Sequence, residues 1–147
     1  MSRRKGRILA FQALYSWDVS KSSLDDLLTF TWLQKDSEIE AGVEAAEPDE
    51  NAKDERTFAS FIISGTISHI DEIDKVITEH LSANWSFDRI NKVALAILRT
   101  STYEIMYQKD ISPKIVIDEA VNIAKNYGTD DSYKFINAIL DKIGKNE

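Results

Sequence analysis

The sequence predicts an all-α bundle of six or seven helices, and three observations carry that reading. Apolar residues recur every three or four positions through nearly all of the 147 residues. The breaks in that rhythm carry serine, proline and glycine at the places where helices start and stop. No segment alternates with period two for long enough to make a strand. Taken in order, Ile8, Phe11, Tyr15 and Val19 fall at helical spacing between residues 3 and 20, with Ala10 and Leu14 beside them, and define the first helix. In 23–34, Ser23 offers a cap and Leu24, Leu27, Leu28 and Trp32 a short stripe. From about 52 to 82 the stripe runs through Phe58, Phe61, Ile62, Ile67, Ile70, Ile73, Val76, Ile77 and Leu81, and Gly65 is expected to bend or break it. Residues 87–108 are apolar on more than one face, which predicts a helix at the centre of the bundle. Ser112 as cap, Pro113 at the first helical position, the stripe Val116, Ala120, Ile123, Ala124, Tyr127 and the stop at Gly128 predict the next helix. The last opens at Thr129 or Asp130, packs through Ile136, Ile139, Leu140 and Ile143, and ends near Gly144.

A chain of this length with 43% hydrophobic residues can bury one core without disulfides, so residues 1–147 are expected to form a single domain. The formal net charge of -7 is unevenly spread. Residues 36–55 carry nine acids against Lys53 alone, read as an acidic linker segment, and the rest of the chain is close to neutral. An acidic total is therefore compatible with a polyanion partner elsewhere on the surface. No apolar run approaches the roughly 20 residues of a membrane span, and no apolar stretch follows the N-terminal charges as in a signal peptide. The absence of cysteine fits a reducing compartment and removes thiol chemistry. A cytoplasmic location is expected, where the Asn84-Trp85-Ser86 sequon is idle.

Catalytic signals are missing. There is no GxGxxG or GxxxxGK[ST] among the five glycines, and no nucleophile with a base, so neither an enzyme nor a cofactor site is expected. His69 and His80 lie eleven residues apart, about 16 Å along a straight helix, too far to share a metal. Asp36, Glu38, Glu40, Glu44 and Glu47 imitate the ligand spacing of a calcium loop, but Ala41 stands where the sharp turn needs glycine, so a solvated acidic loop is the expectation.

The stretch RRKGR is the clearest lead. If Ser2 caps the first helix, Arg3, Arg4, Lys5 and Arg7 all fall within its first two turns, where the helix dipole makes cations unfavourable by a few tenths of a kcal/mol each. A row of phosphates removes that penalty, whereas a frayed, solubilising tail accounts for the charge equally well. Phe135 lies off the centre of the last stripe and Tyr133 two residues before it. From the pattern alone, each is a ring for stacking single-stranded bases or a residue at the edge of the core.

The opening RRKGRILAFQALYSW, AILRTSTYEI (96–105), ISPKIVIDEAVNIAKNYG (111–128) and DSYKFINAILDKI (131–143) together resemble the NusB family of bacterial transcription antitermination factors, over nearly the whole chain except the acidic segment. The resemblance implies a helical fold of two small subdomains and a non-enzymatic role: binding the boxA element of nascent ribosomal RNA with the ribosomal protein NusE, in an antitermination complex with other Nus factors on RNA polymerase. It implies RNA contacts at Arg3, Arg4, Lys5, Arg7, Asp131 and Phe135, and a NusE-facing position at Tyr15. Tyr103, Glu104 and Arg99 match positions read as mainly structural. Gly6 stands where alanine is common, weakening the helix start by up to about 1 kcal/mol, so the basic arm is expected to order on RNA. Ala94 stands where the family often carries a carboxylate facing NusE, so that polar contact is missing. Some members pair through the basic surface, which leaves a homodimer open. NusB-like domains also begin some RNA cytosine methyltransferases; with no methyltransferase segment here, the stand-alone factor is expected. The competing reading is a helical protein–protein interaction module without RNA binding.

Overall fold

The computed structural model describes residues 2–33 and 48–146. Among them are seven α-helices and two single 3-10 turns, with no strand. Helix α1 spans Arg3–Val19, α2 Leu24–Leu27, α3 Glu50–Ser68, α4 Ile70–Glu79, α5 Lys92–Tyr107, α6 Pro113–Tyr127 and α7 Ser132–Asn146. The 3-10 turns are Thr31–Leu33 and Phe87–Arg89. The calcium-loop-like acids from Asp36 to Glu47 lie outside the described residues. The end of the acidic segment is helical: Asp49 accepts the Ala52 amide at 2.8 Å, and Glu50–Glu55 form the first turns of α3.

Helix α5 is the axis. From Ala94 to Ile105 every residue is buried, as its all-round apolar sequence predicts, and it packs against α1, α3, α4, α6 and α7. Around it, Leu14, Ile63, Ile73, Leu98, Ile136, Leu140 and Ile143 are fully enclosed. Truncating any of these to alanine is expected to cost about 2–5 kcal/mol, transfer and cavity terms together. Helix α1 packs on α3, α6 packs on α7, and α5 contacts all four.

Three boundaries differ from the sequence expectation, each for a local reason. The second helix stops after one turn because Phe30 takes a left-handed backbone (φ 57°), while the Thr29 hydroxyl donates to the Asp26 carbonyl. Gly65 does not break its helix. A Cβ there would sit 2.1 Å from Tyr103 Cζ, so glycine is needed for α3 to pass under that ring; the break falls at His69 instead. The central helix starts at Lys92, where the Asn91 side chain accepts the Val93 and Ala94 amides. The next helix follows expectation: Ser112 caps, Pro113 leads and Gly128 ends it.

Candidate nucleic-acid interface

The basic residues at the N-terminus are part of α1. Ser2 caps it, its Oγ accepting the Lys5 amide at 3.2 Å while its own amide donates to Glu55 Oε1 at 3.1 Å. Gly6 lies against α3, where a Cβ would come 2.6 Å from Phe58 Cδ2 and 3.2 Å from the Glu55 carbonyl oxygen. The expectation of an arm that orders only on RNA is therefore corrected. The small residue that lowers helix propensity also lets α1 touch α3, and that contact holds the first turn in place.

The four cations then separate. Arg3 and Lys5 are exposed; Arg3 lies 6.0 Å from the Phe58 ring, and Lys5 has no carboxylate partner among the described residues. Arg4 is also exposed, but it donates from Nε and Nη2 to both oxygens of Glu119 on α6, at 3.0 and 3.1 Å. The hydrogen bond from Arg4 holds the Glu119 carboxyl below the ordinary carboxylate range.

Arg7, expected beside them on the RNA surface, is buried. It lies one turn further along the face that carries Ala10, Phe11 and Leu14, and its Nε donates to both carboxylate oxygens of Glu104 at 3.2 and 2.9 Å. The two side chains are 8% and 3% exposed, so the pair is an interior strut between α1 and α5. Burial raises the Glu104 pKa above its ordinary value, with Arg7 opposing that shift. Phe58 covers the guanidinium at 5.5 Å. Arg99, near the middle of α5, makes a comparable contact with α4, donating to both oxygens of Asp74 at 2.9 and 2.8 Å.

Phe135 and Asp131 lie elsewhere, on and just before α7. Asp131 is exposed, with Lys134 Nζ 3.7 Å away. Lys134 in turn lies 5.9 Å from the Tyr133 ring, which Lys125 also approaches at 5.0 Å. Phe135 is half-buried and leans on Trp85, ring centroids 5.5 Å apart at 52°. Sequence reasoning missed both Trp85 and Lys134. The tryptophan had a signal, a large ring in an otherwise polar turn; the lysine had none beyond its neighbour Phe135.

Tyr15 is 37% exposed and lines an open groove of about 270 Å³ with Phe11, Gln12, Ser16, Trp32, Val93 and Tyr127. Phe11 and Tyr127 meet edge to face at 5.4 Å on its floor. Ala94, beside Val93, is buried and presents no polar group.

Comparison with known proteins identifies the fold and the family. The chain is 54% identical to the transcription antitermination protein NusB of Treponema denticola, over 97% of this chain and 96% of that one. Among solved structures it superposes on NusB of T. maritima with a TM-score of 0.78 at 33% identity, covering 99% of this chain and 92% of the other. It also superposes on a crystal structure of the antitermination factors NusB and NusE in complex with dsRNA, with a TM-score of 0.75 at 27% identity, over 99% and 97%. The NusB family model matches residues 4–145, and with these likenesses along its whole described length the chain belongs to the NusB family.

Proposed function

We propose that this protein is a transcription antitermination factor that binds the boxA RNA of nascent ribosomal transcripts together with the ribosomal protein NusE, within a complex of Nus factors on RNA polymerase. The observation that carries the RNA part is the capped first turn of α1. There Arg3, Arg4 and Lys5 face solvent at a helix N-terminus that has no acidic residue of its own. The amides of Arg3 and Arg4, the positive end of the dipole and three exposed cations, one of them clasped to Glu119, share this single turn, the chemistry that a phosphate row takes up. Phe135 supplies a ring for an unpaired base, and Asp131 holds Lys134 beside it. Arg7 acts indirectly, by fixing the helix that presents the other three.

The groove at Tyr15 is the NusE contact in this reading. It is apolar and aromatic, and Ala94 leaves it without a carboxylate, so affinity there rests on ring packing. No catalytic step is assigned to the protein, whose action is assembly in the cytoplasm, with residues 1–147 working as one domain. No helix among the described residues is long and apolar enough to cross a membrane.

Fluorescence anisotropy of a short single-stranded boxA RNA tests this, with a scrambled RNA and a duplex as controls, with and without NusE. Selective binding, strengthened by NusE and weakened about tenfold or more in Arg3→Ala/Arg4→Ala/Lys5→Ala, is expected. Equal binding to all three RNAs, or none even with NusE, would replace it with the protein-only interaction module.

A further inference from the structure

We infer that Trp85 is a second base-stacking ring of the RNA site, continuous with Phe135. This inference rests on the RNA reading above and adds to it a contact on a different segment of the chain. Trp85 lies in the turn between α4 and the 3-10 turn Phe87–Arg89, where its amide donates to the Ser82 carbonyl at 3.0 Å. Its neighbours Asn84 and Ser86 are exposed, and Trp85 itself is 47% exposed. The other two tryptophans are more enclosed: Trp17 lies under the Arg99 guanidinium, and the Trp32 indole donates to the Leu27 carbonyl. Among the described residues Trp85 meets only one ring, that of Phe135.

The geometry decides how a nucleic acid would use the pair. With centroids 5.5 Å apart and planes at 52°, the rings are too close to admit a base between them, which needs about 7 Å, twice the rise of a stacked base. The free faces therefore serve successive bases as a two-step platform, one on Phe135 and the next on Trp85. The occupant is an unpaired strand and not an apolar peptide because the surroundings are polar: Asn84 and Ser86 flank the indole, and the exposed cations Arg89 and Lys134 stand beside the exposed acids Asp88 and Asp131. Stacking on a ring tolerates any base, so Trp85 adds affinity and strand length while selectivity comes from other contacts.

The test uses the full chain labelled with 5-fluorotryptophan, whose three resonances are assigned by single tryptophan-to-phenylalanine variants. On adding single-stranded boxA RNA, the Trp85 resonance should shift while those of Trp17 and Trp32 stay in place. In anisotropy, Trp85→Ala should bind about tenfold more weakly and Trp85→Phe within about threefold of the parent, with unchanged thermal midpoints. If the parent binds RNA selectively while the Trp85 resonance does not move, or Trp85→Ala binds as tightly as the parent, the inference fails and the RNA reading stands. If the parent shows no selective RNA binding, both fall.

Discussion

Arg4 and Arg7 are three residues apart on the same helix, and each meets a glutamate from another helix, yet the two pairs do different things. Arg4–Glu119 is a two-bond clasp in solvent, where water competes for both partners and salt screens them. Arg7–Glu104 lies in the core, where neither partner can be solvated if the other is removed. The first pair can be exchanged for a phosphate without loss to the fold. The second cannot be exchanged for anything that leaves one charge behind. One basic run thus carries a solvent-facing turn and, a single turn later, the strut that holds that turn against the bundle.

The largest effect should come from breaking the buried pair on one side. Glu104→Ala leaves a guanidinium that cannot give up its proton, and urea unfolding should show a loss of about 3–5 kcal/mol. A smaller loss with a pH signature is expected for Arg7→Met, because Glu104 can escape by taking up a proton. In the parent, the Glu104 pKa is raised by burial, so its contribution to stability is full below the ordinary carboxylate value and is lost as pH rises through its folded one. Removing Arg7 raises that pKa further. The variant should therefore be weakest at neutral pH and regain stability on acidification, as urea midpoints between pH 7 and pH 5 would show. A variant equally weak at both would mean that Glu104 is not the group left uncompensated.

The smallest effect belongs to the exposed pair. Glu119 titrates below its ordinary range, so its contribution is present above the ordinary carboxylate value and fades as pH falls through its folded one. In Glu119→Gln the urea midpoint at pH 7 should stay within experimental error, and RNA should bind about as tightly or slightly tighter, because Arg4 is released. A clear fall in RNA affinity would show that the clasp positions Arg4 for RNA and does not compete with it.

Much of this was legible in the sequence, and the failures have physical causes. Periodicity finds helices because burial on one face repeats every turn, so α1, α5, α6 and α7 emerge within a few residues. It finds turns poorly. Phe30 in a left-handed conformation and the close passage of Tyr103 over Gly65 are set by neighbours distant in sequence. The basic patch was visible as charge, but its division was not. Arg7 lies four residues before Phe11 and seven before Leu14, on the apolar stripe itself, and that register was the available sign that it points inward. Its partner Glu104, 97 positions away, sits in a run of buried residues that likewise marks it as interior.

The most direct test is the double substitution Arg7→Met/Glu104→Met, which replaces the strut with apolar side chains of similar reach and leaves no charge unpaired. The readout is the salt dependence of boxA RNA binding in the presence of NusE, beside that of Arg3→Ala/Arg4→Ala/Lys5→Ala. The account predicts a folded double variant with the parent's affinity and log–log salt slope, while the triple variant loses about 0.7 of slope for each phosphate given up. A double variant that folds normally but loses about one phosphate's worth of slope would contradict it, placing Arg7 on the RNA after all.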